Sequence, residues 1–260
     1  MRRVLRLVAV AAFAFVSGAA GAAMDQAKVA AAKKAGDDFV AMAKGSETSG
    51  KAPRQTDPKV KALLDRVFDR AALGKDVLPI AESGKVGELL NNANRIGFVY
   101  MLAGTGLTSL DQLGQNQKAM EQAERNMGAF APELGRWFDY QMVIQGAIAD
   151  STSAFLATAQ KNVLENPQVK EGLGQVRSGL AGSMRGVLQM MASDTLDNDW
   201  RRGRLAALAE IAPKAAKLVT PEDAASLKES ANQLAKALND PGLQEALRKF
   251  GETIASGPKS

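Results

Sequence analysis

The chain contains neither cysteine nor histidine in its 260 residues. Without cysteine there are no disulfides, no lipidated N-terminal cysteine, no thiolate nucleophile and no attachment site for c-type haem. Without either residue there are no Cys/His zinc sites, and Ser-His-Asp and Cys-His catalysis are excluded. These absences argue against most enzymes that work outside the cytoplasm, and they lead us to expect no cofactor and no metal site.

The first residues follow the order of a secretory signal peptide. Three arginines fall within the first six residues, an uncharged apolar run covers 7–16, and small residues alone fill 17–23. The apolar run is about half the length that a bilayer-spanning helix needs, so we expect no transmembrane anchor. We predict that residues 1–23 are removed by cleavage near Ala22 or Ala23, and that the protein is periplasmic or secreted.

The predicted cleavage also changes the charge of the protein. It removes three arginines and no acidic residue, so the formal net charge of +5 falls by three, to about +2. A chain so close to neutrality lacks the basic surface that binds nucleic acid, and we expect no nucleic-acid partner. About 237 residues remain, which is enough for a domain with a sizeable core.

The composition and the placement of proline predict an all-α fold. Thr220 and Asp223 resemble a capping box at the start of one helix. An apolar run over 96–102 would also suit a buried strand, but we favour a helix because no partner strand is evident. We predict an irregular helical bundle of roughly eight helices with no disulfides. Five prolines mark helix starts: Pro58, Pro132, Pro167, Pro221 and Pro241.

The N-terminal part after the predicted cleavage site differs in composition from the rest. A helix over about 25–44 is rich in alanine and lysine and has few large apolar residues, and 45–57 has the glycine and serine content of a flexible linker. We therefore expect residues 24–54 to form a loosely docked helical arm and linker. Residues 55–260 are expected to form a single all-α domain.

A polar seam runs along the apolar face of the longest predicted helix, over about 132–162. At about 100° per residue, Gln141, Gln145 and Thr152 fall in the middle of an aliphatic and aromatic stripe. Buried amides and hydroxyls need hydrogen-bond partners, so the seam indicates either bonds between helices or a mostly apolar ligand pocket. For the pocket, the candidate ligand-binding residues on this helix are Trp137, Tyr140, Gln141, Gln145 and Thr152.

Glycines cluster on one side of the next predicted helix, over 167–191. Each interior glycine costs about 0.5–1 kcal/mol relative to alanine, so a group of them indicates close approach to the backbone. The approaching group is either another helix or a ligand in a shallow groove. Under the second interpretation Gly179, Gly182 and Gly186 admit the ligand.

Aspartates, a tryptophan and arginines are concentrated over 194–204. The aspartates lack the further ligands of a calcium loop, and Asp197 or Asn198 is instead expected to cap a helix. The basic and aromatic residues suit either an interaction surface or a solvated helix face paired with the nearby acids. The candidate interaction residues are Trp200, Arg201, Arg202 and Arg204.

Taken together, these patterns predict a non-catalytic protein that binds an apolar or amphipathic small molecule such as a lipid. The alternative is an envelope protein-protein interaction or scaffold module that acts through the glycine-faced helix or the Arg/Trp surface. A third possibility is an enzyme that uses carboxylates such as Glu133, Asp139 and Asp150, although the sequence does not show that these groups converge.

Overall fold

Short polar residues and prolines begin most of the helices, as the sequence predicts. The side chains of Asp57, Asn166, Thr220 and Asp240 each accept a hydrogen bond from a backbone N–H in the first turn of the following helix. Each such cap contributes about 1 kcal/mol to helix stability. The capping box is confirmed, because the Asp223 N–H donates to Thr220 Oγ1 at 3.1 Å.

The computed structural model describes residues 24–74 and 76–257, and the predicted signal peptide lies outside these ranges. The described residues form an all-α bundle with no strand, as predicted, and nine of its helices have ten or more residues. Short 3-10 turns lie at Arg70–Leu73, Ile80–Glu82 and Leu110–Gln115. The α-helices are α1 (Gln26–Met42), α2 (Ser46–Ser49), α3 (Pro58–Val67), α4 (Ser83–Leu102), α5 (Gln117–Ala129), α6 (Ala131–Thr158), α7 (Lys161–Leu164), α8 (Pro167–Met191), α9 (Asn198–Ala215), α10 (Pro221–Ala237) and α11 (Pro241–Ala255).

Helix α6 is the centre of the bundle. It packs against α4 on one side and α9 on another, and it also contacts α5 and α8. The N-terminal helices α1 and α3 pack on each other and on α4, whereas α10 and α11 form a hairpin that lies on α8 and α9. Fully buried aromatic side chains, including Tyr100 and Trp137, fill the centre of one continuous core. Helix α6 therefore joins the N-terminal helices, through α4, to the C-terminal helices, through α8 and α9.

The N-terminal helix belongs to the bundle, in contrast to the loosely docked arm expected from its composition. Phe39 on α1 is fully buried, and its ring centroid lies 5.7 Å from that of Tyr100. The buried Asn92 side chain on α4 donates to the Ala32 carbonyl at 2.9 Å. The small residues that suggested a loose arm are the ones that let α4 approach, since an added Cβ on Gly36 would lie 2.0 Å from Asn92 Oδ1.

The described helices contain no membrane-spanning candidate. Over 24–74 and 76–257, none combines the length with the apolar character needed to cross a bilayer.

Candidate functional site

An open groove of about 440 Å³ runs between the last turns of α1 and α4. Its lining is mostly apolar, and several of these side chains are only partly covered by the core. The volume falls within the range of small-molecule sites, roughly 300–1,000 Å³. The apolar lining residues are Val40, Phe98, Val99, Leu102 and Leu107.

The end of the groove is formed by α2, a single helical turn. Two backbone hydrogen bonds hold α2 against the turn that follows α4, from Gly104 N to Ser46 O at 3.0 Å and from Gly106 N to Glu47 O at 2.7 Å. Gly104 has φ +70°, and an added Cβ there would lie 3.2 Å from the Gly50 Cα. The positive φ and the close approach of Gly50 both favour glycine at position 104. The end wall of the groove is therefore held by contacts between backbone atoms.

Charged side chains stand at the rim of the groove. Lys44 and Arg95 contribute positive charge and Glu47 contributes one negative charge. Arg95 forms an exposed ion pair with Asp37 at 2.7 Å. Lys44 forms no hydrogen bond or ion pair with any residue that the structure describes, so its ammonium group is available to a ligand.

A second concavity, a cleft of about 310 Å³, lies between α6, α9 and the segment around 70–78. Two ion pairs join α6 to α9 along it, from Asp139 to Arg204 and from Asp150 to Lys214, each at 2.6 Å. The two aspartates are eleven residues apart on one helix, which separates the pairs by about 16 Å. The two candidate carboxylates therefore lie along a cleft, and each is paired with a cation from α9.

Burial affects the Asp139 pair most strongly. Desolvation raises the pKa of Asp139, and the opposing attraction of Arg204 does not fully offset it. The same desolvation lowers the pKa of Arg204. Arg204 also lies over the Trp200 ring, 5.2 Å from the ring centroid, so its guanidinium is held by packing as well as by charge.

Half of the predicted polar seam joins α6 to α4. Gln141 Nε2 donates to Asn94 Oδ1 at 2.6 Å, and Trp137 Nε1 donates to the same oxygen at 3.3 Å. Trp137 is fully buried against the backbone of Gly97, where an added Cβ would lie 2.3 Å from the indole. In this half of the seam, the polar side chains form hydrogen bonds between helices, which is the first of the two interpretations given above.

The other half of the seam lies beside a small cavity. Gln145 Nε2 donates to Ser183 Oγ on α8 at 3.0 Å. The Thr152 hydroxyl is buried and has no hydrogen-bond partner among the described protein atoms. Gln145, Thr152 and Gly179 line a cavity of about 30 Å³, which is room for about one water molecule and not for a lipid.

The remaining candidate ligand residues lie apart from these spaces. Tyr140 is buried with its ring centroid 5.5 Å from that of Phe68, and desolvation raises the pKa of its hydroxyl. Gly182 is half-buried on α8, and Gly186 faces open space, since an added Cβ would meet no atom within 4 Å. The glycine stripe of α8 is therefore not a continuous close contact, because Gly186 has no neighbour.

The predicted Arg/Trp surface requires correction, because most of its side chains point inward. The Arg201 side chain is buried and donates to the carbonyls of Met191 at 2.9 Å and Ser193 at 2.7 Å. Trp200 Nε1 donates to the Ala131 carbonyl at 2.8 Å and the ring packs on the core. Arg201 thus joins the start of α9 to the end of α8, and Trp200 joins it to the start of α6.

The two other arginines of this group differ in exposure. The Arg204 side chain is only 12% exposed and is paired with Asp139, as described above. Arg202 is 53% exposed and pairs with Asp199 at 2.6 Å and with Asp240. A continuous basic and aromatic surface is thus absent from this part of the described chain. The predicted cap is confirmed, since Trp200 N donates to Asp197 Oδ1 at 2.7 Å.

The Glu133 carboxylate has different partners from Asp139 and Asp150 and does not share their cleft. It is buried in the first turn of α6, where Glu133 Oε1 accepts from the Gln55 N–H at 2.9 Å and Arg54 lies 3.7 Å from Oε2. This carboxylate fixes the segment before α3 to the start of α6. Within the described ranges, no group of three or more acidic side chains is arranged to hold a metal ion.

Sequence reasoning did not predict the groove residues on α1 and α4. One signal was available, because residues 96–102 are apolar around the whole helix, more than one buried face requires. The surplus side chains Phe98 and Val99 are the ones that reach the groove. A helix with more apolar surface than its partners cover is a marker of such a site.

Comparison with models of known protein families, with curated proteins and with solved structures finds no match to this chain.

Proposed function

We propose that the protein binds an anionic, single-chain amphiphile, such as a fatty acid, in the groove between α1 and α4, without catalysis. The observation that carries the proposal is the groove itself: about 440 Å³, lined mainly by apolar side chains, with the ammonium group of Lys44 at its rim and unpaired among the described residues. We also propose, from the first 23 residues, that it does so outside the cytoplasm.

Burial of the alkyl chain supplies most of the affinity under this proposal. Each methylene that leaves water contributes about 0.8 kcal/mol, and Val40, Phe98 and Val99 provide the apolar wall. The same burial covers apolar side chains of α4 that the described helices leave partly exposed. An alkyl chain is the occupant that matches such a lining.

The sign of the head group follows from the rim. Lys44 and Arg95 line the groove with a single acid, Glu47; Arg95 is paired with Asp37, so the cation that remains for a ligand is Lys44. An exposed ion pair is worth roughly 0.2–1 kcal/mol, so the rim selects the sign of the ligand rather than setting its affinity. A carboxylate head is preferred to an ammonium head.

The test is isothermal titration of the chain from residue 24 onward with dodecanoate and with dodecyltrimethylammonium. Ala41 is exposed at the edge of the groove, so Ala41→Trp fills it from outside the core. We expect saturable binding of dodecanoate, weaker binding of the cation, and at least a tenfold loss in Ala41→Trp. Lys44→Gln is expected to weaken dodecanoate about two- to fivefold.

The matched control is Ala30→Trp, an exposed alanine on the same helix about 16 Å from position 41. This variant is expected to bind dodecanoate like the unmodified protein. Equal affinity for dodecanoate in the Ala41→Trp and Ala30→Trp variants would show that the groove is not the site. Absence of saturable binding by the unmodified protein would overturn the proposal as a whole.

A further inference from the structure

The cleft between α6 and α9 has an apolar floor, formed by residues that recur at helical spacing on the two helices. On α6 the floor residues Met142, Val143 and Gly146 follow Asp139 at steps of three and four, and on α9 Ala207 is followed by Ile211. The ion pairs to Arg204 and Lys214 lie toward the two ends of this floor. A ligand in the cleft therefore meets apolar atoms between two charged ends.

Three further charges line the cleft without a salt bridge to any described residue, although the Arg70 charge also attracts the Asp139 carboxylate. Arg70, Asp76 and Glu210 are exposed, and none forms a hydrogen bond or salt bridge with a residue that the structure describes. They carry both signs, one cation and two acids. Acids outnumber cations among these three, whereas two cations and one acid line the α1 and α4 groove, so the two linings indicate different classes of ligand.

We infer that the cleft is a second binding site, for a short apolar zwitterion such as a hydrophobic dipeptide. The side chains of the ligand lie on the floor at Met142 and Ile211, its carboxylate meets Arg70, and its ammonium group meets Glu210 and Asp76. The cleft volume of about 310 Å³ matches a ligand of this size class. An extended dipeptide is about 7 Å long, so it fits along the apolar floor between the two ion pairs, which lie roughly 16 Å apart.

The experiment titrates the protein with Leu-Leu, with N-acetyl-Leu-Leu and with Leu-Leu-amide, following binding by calorimetry. Acetylation removes the ammonium group and amidation removes the carboxylate, so each is expected to weaken binding about two- to fivefold. Arg70→Gln is expected to weaken the binding of Leu-Leu by the same factor and to leave the affinity for Leu-Leu-amide unchanged. The double variant Asp76→Asn, Glu210→Gln is expected to weaken Leu-Leu and leave N-acetyl-Leu-Leu unchanged.

A pair of tryptophan substitutions on α9 locates the site. Ala207 lies on the cleft floor, whereas Ala209 is exposed outside it. Ala207→Trp is expected to lower the affinity for Leu-Leu at least tenfold, and Ala209→Trp to leave it unchanged. Circular dichroism verifies that both variants remain helical, and dodecanoate binding reports independently on the other groove. The inference is overturned if Leu-Leu shows no saturable binding, if Ala207→Trp binds it normally, or if capping either end has no effect.

Discussion

Gly97 on α4 and the indole of Trp137 on α6 occupy adjoining space that leaves no room for a methyl group. An added Cβ on Gly97 would lie 2.3 Å from the Cδ2 and Cε2 atoms of Trp137, a distance that real Cβ contacts essentially never show. The indole is fully buried and its Nε1 donates a hydrogen bond to Asn94, so the ring cannot shift to make room for a methyl group. The crossing of the two helices is set at this point.

Gly97→Ala is therefore expected to lower the free energy of unfolding by about 2–3 kcal/mol, because the methyl group overpacks the core. Gly87→Ala on the same helix is the control, since an added Cβ there meets no atom within 4 Å. It is expected to leave stability unchanged or to raise it by about 0.5–1 kcal/mol. Urea unfolding of both variants measures the difference, and equal stabilities would contradict the packing described.

Adjacent arginines provide a second comparison at the start of α9. Arg201→Met keeps the aliphatic stem but removes the donors to the carbonyls of Met191 and Ser193. We expect a loss of about 2–3 kcal/mol because buried carbonyls lose their partners. Arg202→Met removes an exposed ion-pair partner and is expected to cost no more than about 1 kcal/mol. Chemical denaturation measures both variants. If Arg202→Met loses more free energy of unfolding than Arg201→Met, the assignment of Arg201 as buried and Arg202 as exposed is wrong.

The raised pKa of Asp139 predicts a pH dependence of stability. Because burial raises its pKa in the folded state, protonation of Asp139 favours folding. Its contribution is fully present below the ordinary pKa of about 3.8 and is lost as the pH rises through the raised value. The free energy of unfolding of the unmodified protein, relative to Asp139→Asn, is expected to fall across this window. A relative stability that rises with pH, or an Asp139 carboxyl that titrates below 3.8 by NMR, would reverse the sign.

The end wall of the α1 and α4 groove is tested at Gly104. Gly104→Ala places a side chain at φ +70° and close to the Gly50 Cα, so it is expected to cost about 1–2 kcal/mol and to weaken dodecanoate binding. Gly114→Ala is the control because its added Cβ meets open space. Unfolding and titration are measured on both. If Gly104→Ala is destabilised but binds dodecanoate with unchanged affinity, the end wall is not part of the ligand site.

The export prediction is tested by the N-terminus of the protein recovered from the producing cell. Cleavage after Ala22 or Ala23 leaves a chain that begins at Ala23 or Met24. N-terminal sequencing and intact mass are expected to show one of these ends in the extracytoplasmic fraction. Full-length protein that begins at Met1 and remains in the cytoplasm would contradict the prediction.

The helix starts could be predicted from the sequence because their causes are local. A cap such as Thr220 satisfies backbone N–H groups within three residues, so no distant part of the chain is needed to recognise it. The periodic apolar face of α8 is similarly local, and its predicted bounds agree with the observed ones. The all-α class follows from the sum of such signals.

The placement of the candidate site could not be predicted, because it depends on how helices cross. The pattern on α6 identifies Gln141 and Gln145 as inward-facing, but it does not say that Asn94 and Ser183 meet them. Arg201 has the composition of a surface residue and becomes buried because three carbonyl or amide oxygens surround it. Such contacts are made by residues from distant positions, which one sequence does not reveal.

The hairpin of α10 and α11 has a consequence for the order in which the molecule opens. Its two helices pack chiefly on each other, and beyond that on α8 and α9, so much of its stability is internal. Contiguous units of this kind exchange their amide hydrogens together. We expect the amides of α10 and α11 to share one protection factor in hydrogen exchange, lower than that of the central α6. The last two helices would then detach as one cooperative unit while the rest of the bundle stays closed.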